Sequence, residues 1–144
     1  FFAQPDQAKF SIRSLPDLAG PFGKGAIEIN IVQSSARSND SDLQFFLLSS
    51  KEMVKGDAYK VTFWFKTSEA DTFRTSLLQA NSPWGPAGDP SYLTHNATTE
   101  WKAYTHTFKS LVSGTGSVRM PYFVLGKMKT GNTLQIGKIK LEKM

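Results

Sequence analysis

Cysteine is absent from the 144 residues, so the chain can form no disulfide, no thiolate metal site and no cysteine nucleophile. Histidine is almost as scarce. His95 and His106 are the only two, and they lie far outside the short helical spacing of a zincin motif. No G-x-S-x-G elbow, phosphate-binding glycine loop or dinucleotide fingerprint occurs. The twelve Asp and Glu residues are dispersed, and none sits in a dense aromatic run of the kind that prepares a carboxyl group for acid–base chemistry. Catalysis within this chain is therefore not expected. No apolar run is long enough to span a bilayer, and the opening FFAQPDQAKF is neither a signal nor a transit peptide. The chain reads as an excised domain or a mature fragment, with no membrane partner expected.

Sustained helical periodicity is also missing, as is any clustering of charge. The net charge is +5, but Lys and Arg are scattered, and the densest basic stretch, residues 127–143, is interleaved with Gly and Ile at strand spacing. No RNP-like motif, zinc-finger spacing or basic helix accompanies it, so nucleic acid is not an expected partner. The sequons Asn39-Asp40-Ser41 and Asn96-Ala97-Thr98 read as chance matches in polar loops.

Aromatic side chains are what the chain has in quantity. Eleven Phe, three Trp and four Tyr make up 12% of the residues, a composition suited to strands. The length fits one domain over residues 1–144, enough to bury a core. The most informative stretch is KGDAYKVTFWFK, residues 55–66. After a Lys55-Gly56-Asp57 turn signal it alternates strictly: Tyr59, Val61, Phe63 and Phe65 on one side, Lys60, Thr62, Trp64 and Lys66 on the other. A period of two is a strand with one face in a core. The face turned to water nevertheless carries an indole, a candidate binding surface.

Further strand-like runs lie at residues 9–13, 26–33, 43–48, 72–79, 92–95, 101–108, 117–125 and 133–141. Residues 16–25, rich in Pro and Gly, are expected to be a loop, residues 34–42 the most mobile segment, and residues 81–90, with three prolines, irregular. The 43–48 run is apolar on both faces. Tyr104, His106 and Phe108 share the core face of their strand, giving His106 a structural role, and Trp101 is expected to pack at its start. The set describes an all-β, two-sheet antiparallel β-sandwich.

Sugar rings present C–H patches that stack on exposed indoles and phenols, and a rim of hydroxyls that bond amides, guanidinium groups and carboxylates. Trp64, Trp84, Tyr92 and Tyr122 are the candidates for the first role, with Gln44, Arg74, Gln79 and Asn81 for the second. Arg74 and Gln79 differ in parity, so both serve one face only if the strand ends or bulges between them.

Four segments together resemble carbohydrate-binding modules of families 4, 9, 16 and 22, most closely family 4. KGDAYKVTFWFKTSEA is similar to their "kG-x-x-Y-x-v-s-F-w-x-K-A" signature, preceded by Asp42-Leu43-Gln44-Phe45. Residues 99–108, TEWKAYTHTF, resemble "t-e-W-k-x-y-x-x-x-F", and Phe123-Val124-Leu125-Gly126 with residues 134–141 resembles the closing segment. The resemblance implies a jelly roll that binds one polysaccharide chain across a concave sheet, with Trp64 as a stacking residue, Trp84 at the cleft rim, and Tyr122, Arg119 or Val124 on a late strand of the cleft. It implies a non-catalytic partner of plant polysaccharide, xylan before β-glucan, attached to a glycoside hydrolase in a secreted or cell-surface bacterial protein. Two departures stand out: no opening "N-x-G-F-E" segment precedes Ile27, and Gly137 replaces the closing Asp. Both commonly serve the family's structural calcium, so no cofactor is expected here. A structural or protein-interaction sandwich that binds no glycan is the competing reading.

Overall fold

The computed structural model describes residues 2–4 and 6–144. The strands are β1 (Phe2–Ala3), β2 (Lys9–Gly20), β3 (Gly23–Gln33), β4 (Leu43–Leu48), β5 (Ala58–Thr67), β6 (Asp71–Gln79), β7 (Gly88–Asp89), β8 (Tyr92–Ala97), β9 (Lys102–Ser110), β10 (Val118–Val124) and β11 (Thr133–Lys143). They form a five-stranded sheet in the order β1-β4-β10-β6-β8 and a six-stranded sheet in the order β2-β3-β11-β5-β9-β7, antiparallel throughout. One 3-10 turn, Asp40–Asp42, is the sole helical element among the described residues. The expected all-β sandwich is the observed architecture.

The two sheets close on phenylalanine. Phe63 and Phe65 of β5 and Tyr104 of β9 face Phe73 of β6 and Phe123 of β10. Phe65 stacks on Phe73 at 4.1 Å between ring centres, and Phe63 meets Phe123 edge-on at 5.0 Å. Each fully buried ring contributes about 1.5–3 kcal/mol by leaving water, and each well-oriented pair adds about 0.5–1.5 kcal/mol. A second cluster around Met53, Tyr59, Val61, Leu77 and Phe108 extends the core. The strict alternation of β5 thus follows from burial: Tyr59, Val61, Phe63 and Phe65 are all at most 1% exposed.

His106 is fully buried, as its parity predicts. Its Nε2–H donates to the Pro90 carbonyl at 2.9 Å, which leaves Nδ1 to face the Thr75 hydroxyl at 3.4 Å. The same hydroxyl meets His95 Nε2 at 2.8 Å, so Thr75 links both histidines inside the sandwich.

Two loop expectations, for residues 16–25 and 81–90, are corrected. Residues 16–25 are mostly strand: β2 runs on to Gly20 and β3 starts at Gly23. Pro16 falls in the register shift between Leu15 and Ala19, and β2 is an edge strand, where a missing N–H costs no ladder bond. Residues 34–42 are tied down by Asp42, which accepts from Ser35 Oγ at 2.7 Å and from Arg37 Nε and Nη2 at 2.9 and 2.5 Å. The Arg37 guanidinium holds the Asp42 carboxyl below its ordinary pKa. The proline-rich loop contributes β7, which pairs with the end of β9.

Candidate functional site

The sandwich has two outward faces, and they differ in chemistry. On the six-stranded sheet, the outward positions of β5 are Lys60, Thr62, Trp64 and Lys66. Those of β9 include Thr105, Thr107 and Lys109, all exposed. Lysine and threonine on a solvated face need no ligand to explain them. Trp64 points outward here, but it does not stand free. The turn between β2 and β3 lays Phe22 over it at 6.3 Å, and Trp101 meets the other side of Phe22 edge-on at 4.7 Å. Trp101 therefore packs on the outer face of the sheet rather than between the sheets.

Gly137 of β11 makes room for Phe22. A Cβ there would lie 2.5–2.6 Å from three Phe22 ring carbons, and one at Gly20 would lie 2.4 Å from the same ring. The position where the resemblance has its closing Asp is thus occupied by an aromatic ring. A carboxylate side chain at that position would collide with the Phe22 ring.

The five-stranded sheet carries most of the other candidates. Its register sets Phe46, Tyr122, Ser76 and Tyr92 side by side across β4, β10, β6 and β8. That row crosses three strand gaps, about 14 Å. Beside it runs a second row, Phe2, Gln44, Val124, Arg74 and Thr94. On the other side, Arg119 pairs with Leu48 and Leu78. A bulge between Arg119 and Tyr122 puts both on the outward face although they are three residues apart. Arg119, Tyr122 and Val124 consequently share this face.

Rings and guanidinium groups form a continuous floor. Tyr122 meets Phe46 edge-on at 5.8 Å, the Arg119 guanidinium carbon lies 4.4 Å from the Phe46 ring centre, and that of Arg74 lies 5.3 Å from the Tyr92 ring centre. Arg74 Nη2 also pairs with Asp40 Oδ2 at 2.9 Å. Asp40 reaches it because the 3-10 turn lies directly against Gly126, whose N–H donates to the Asp40 carbonyl at 2.8 Å. A Cβ at 126 would sit 2.3 Å from the Asn39 carbonyl oxygen, so only glycine permits that approach. Tyr122 is buried beneath this face at 4% exposure, and its hydroxyl pKa is pushed up to about 12, first by burial, with Arg119 pulling it down and Asp40 pushing it up. It keeps its proton at neutral pH and remains a hydrogen-bond donor.

Two hollows flank this floor. One, of about 350 Å³, is lined by Phe2, Gln44, Phe46, Trp84 and Arg119. The other, of about 260 Å³, is lined by Asp40, Thr72, Arg74, Thr94, Val124 and Lys127, among others. Trp84 is 52% exposed and Tyr92 58% exposed. Trp84 sits at φ +52°, in the left-handed region that a non-glycine residue occupies at a cost, in a turn closed by its N–H donating to the Asn81 carbonyl at 2.9 Å.

Of the residues nominated from sequence, the structure gathers Gln44, Arg74, Tyr92, Tyr122 and Trp84 on or beside one face. Gln79 falls on the inward parity of β6, opposite buried Val118, and its side-chain amide lies against Gly85. No bulge in β6 brings it to the face of Arg74. Asn81 turns the chain into the Trp84 loop. Trp64 belongs to the opposite sheet, so it cannot stack a ligand held by the other five. Sequence reasoning missed Phe46 and Asp40 as site residues. The signal for Phe46 was present, since a strand apolar on both faces has an outward apolar row to account for.

No protein-family model matches the chain, and no curated protein matches it. Solved structures do. One described as a family 4 carbohydrate-binding module (CBM4) superimposes with a TM-score of 0.72 at 18% identity, covering 95% of this chain and 78% of the other. The family 22 xylan-binding domain CBM22-1 of Xyn10C from Paenibacillus barcinonensis gives 0.60 at 9% identity, covering 98% and 88%. A family 61 module in complex with β-1,4-galactotriose gives 0.57 at 15% identity, covering 99% and 92%. The chain shares its β-sandwich fold with these modules. At these identities the likeness is one of fold, and the ligand must be argued from the side chains. Within the carbohydrate-binding-module fold, the five-stranded outward face is where this chain places its exposed aromatic rings beside polar groups.

Proposed function

We propose that this chain is a non-catalytic module that binds a polysaccharide along the outward face of its five-stranded sheet. The observation that carries the reading is the pair of exposed rings, Trp84 and Tyr92, on one face with half-buried Phe46, beside Gln44, Arg74 and Arg119 and above a buried floor of Tyr122 and Ser76. Aromatic faces take the C–H patches of sugar rings, while the amide and the guanidinium groups bond the hydroxyl rim. The floor is built on paired strands, so little ordering accompanies binding. Nothing on it is arranged for hydrolysis. Both histidines are occupied inside the sandwich, and Asp40 is held by Arg74.

The ligand we favour is a β-linked plant polysaccharide, xylan first and β-glucan second. We place the module next to a glycoside hydrolase in a secreted or cell-surface bacterial protein, where tethering raises the enzyme's local concentration on its substrate. The test is affinity electrophoresis against xylan, mixed-linkage glucan, laminarin, mannan and galactan. Retardation by at least one polymer, weakened by Tyr92→Ala and by Trp84→Ala, is expected; no retardation by any of them overturns the proposal.

A further inference from the structure

The two arginines of the binding face are not equivalent. Arg74 has its counter-ion, Asp40, at 2.9 Å. Arg119 has none among the described residues: its Nη2 makes one long hydrogen bond, 3.5 Å, to the Ala80 carbonyl, and its buried Nε has no hydrogen-bond partner. The guanidinium is nevertheless held in place, stacked 4.4 Å above the Phe46 ring. It borders a hollow of about 350 Å³ with Gln44 on one side and the half-exposed Trp84 on another. Arg74, Arg119 and Lys127 line the two hollows of this face against one carboxylate, Asp40.

We propose that the hollow between Trp84, Phe46 and Arg119 is a subsite for a carboxylate-bearing sugar, so that the ligand is a uronate-containing glycan. The inference rests on the glycan-binding reading above and narrows it. The indole supplies a flat apolar surface for the sugar ring. The guanidinium supplies a planar fork of N–H donors that matches the two oxygens of a carboxylate, and Gln44, whose Nε2 already donates one hydrogen to the Ser41 carbonyl at 2.6 Å, has its second amide hydrogen to add. A carboxylate accepts two parallel charge-assisted bonds from the guanidinium fork where a hydroxyl accepts one, and the cation is already oriented by Phe46. A neutral sugar in the same place would leave Arg119 without an anion.

The test is calorimetric titration of the intact chain at 0.15 M salt. The probes are glucuronoxylan, polygalacturonate and alginate, each paired with its carboxyl-reduced form, with neutral β-glucan and sulfated carrageenan alongside. We expect at least one acidic polymer to bind about tenfold more tightly than its reduced form. Arg119→Gln should bring that ratio close to one, and Arg119→Lys should leave it intermediate. Lys109→Gln, which removes the same charge from the opposite sheet, should leave the ratio as it was. Equal affinity for every acidic polymer and its reduced form overturns the inference while sparing the glycan-binding reading. So does an equal loss in Lys109→Gln and Arg119→Gln, which would mean diffuse attraction to net positive charge, and so does tighter binding of the sulfated polymer. Binding of no polymer overturns both.

Discussion

The pair of histidines between the sheets should make the fold acid-sensitive from about pH 6.5 downward, beginning above the range in which carboxylates titrate. His95 stacks on Phe73 at 4.9 Å between ring centres and bonds Thr75, and His106 lies behind it on the same hydroxyl. Burial pulls the pKa of His95 from 6.5 to about 4, helped by the neighbouring His106 and Lys102. Burial lowers His106 as well, partly opposed by its bond to the Pro90 carbonyl. A group whose pKa is depressed by folding binds its proton first in the unfolded chain. Stability is therefore complete above about pH 6.5 and falls as the pH drops toward 4.

For His95 alone, the loss between pH 7.5 and 5 is about 2 kcal/mol, and it approaches about 3 kcal/mol near pH 4. Both figures are upper values, since water reaches part of the ring and screens the effect. The measurement is urea unfolding followed by tryptophan fluorescence, at pH 7.5 and at pH 5, for the wild type and for His95→Phe. The substitution keeps a ring against Phe73 but removes the titrating group. The wild type should lose more stability than the variant by roughly 1–2 kcal/mol, a change visible in the transition midpoint at constant slope. Identical pH dependence in the two proteins would refute the reasoning, whatever the absolute stability of either.

Three further outcomes follow from the faces of the sandwich. Tyr92→Ala should weaken polysaccharide retardation on affinity gels at least severalfold, whereas Trp64→Phe, on the opposite sheet, should change the apparent affinity less than twofold; the reverse pattern would move the site to the other face. Gly137→Asp should destabilise the fold by about 1–3 kcal/mol through collision with Phe22, with a change in Trp64 or Trp101 emission, and unfolding as stable as the wild type would show that Phe22 yields freely. Gly126→Ala should weaken glycan binding along with stability, because the backbone of the turn that carries Asp40 would have to withdraw from β10. Undiminished binding on titration would separate that turn from the site.

The sandwich was legible because its signal is local. Each strand alternates within a few residues, and the alternation of residues 59–65 matches the burial of Tyr59, Val61, Phe63 and Phe65. Loops were less legible where tertiary contacts decided them. Pro16 ends a strand pattern on paper, but on an edge strand with a register shift it interrupts nothing. The assembly of the site was harder still, because it depends on pairing across the sheet. Tyr122, Ser76 and Tyr92 are brought together by the registers of β10, β6 and β8, and Arg119 joins Tyr122 through a bulge that defeats counting by twos.

Trp64 shows where parity reasoning reaches its limit. Alternation established correctly that the indole leaves the core, yet a two-layer sandwich has two outsides, and a period of two cannot say which one a strand faces. What separates them is the company each residue keeps. Trp64 shares its face with Lys60, Thr62 and Lys66 and is roofed by Phe22, whose ring occupies the space left at Gly20 and Gly137. An aromatic side chain that already has an aromatic lid has less surface left to offer a sugar. Among the described residues Tyr92 and Trp84 have no such aromatic lid and lie near unlike polar groups, and Trp84 is exposed on a backbone in the left-handed region. The apolar surface worth explaining by a ligand is the one the fold keeps exposed, and in this chain that surface lies on the five-stranded sheet.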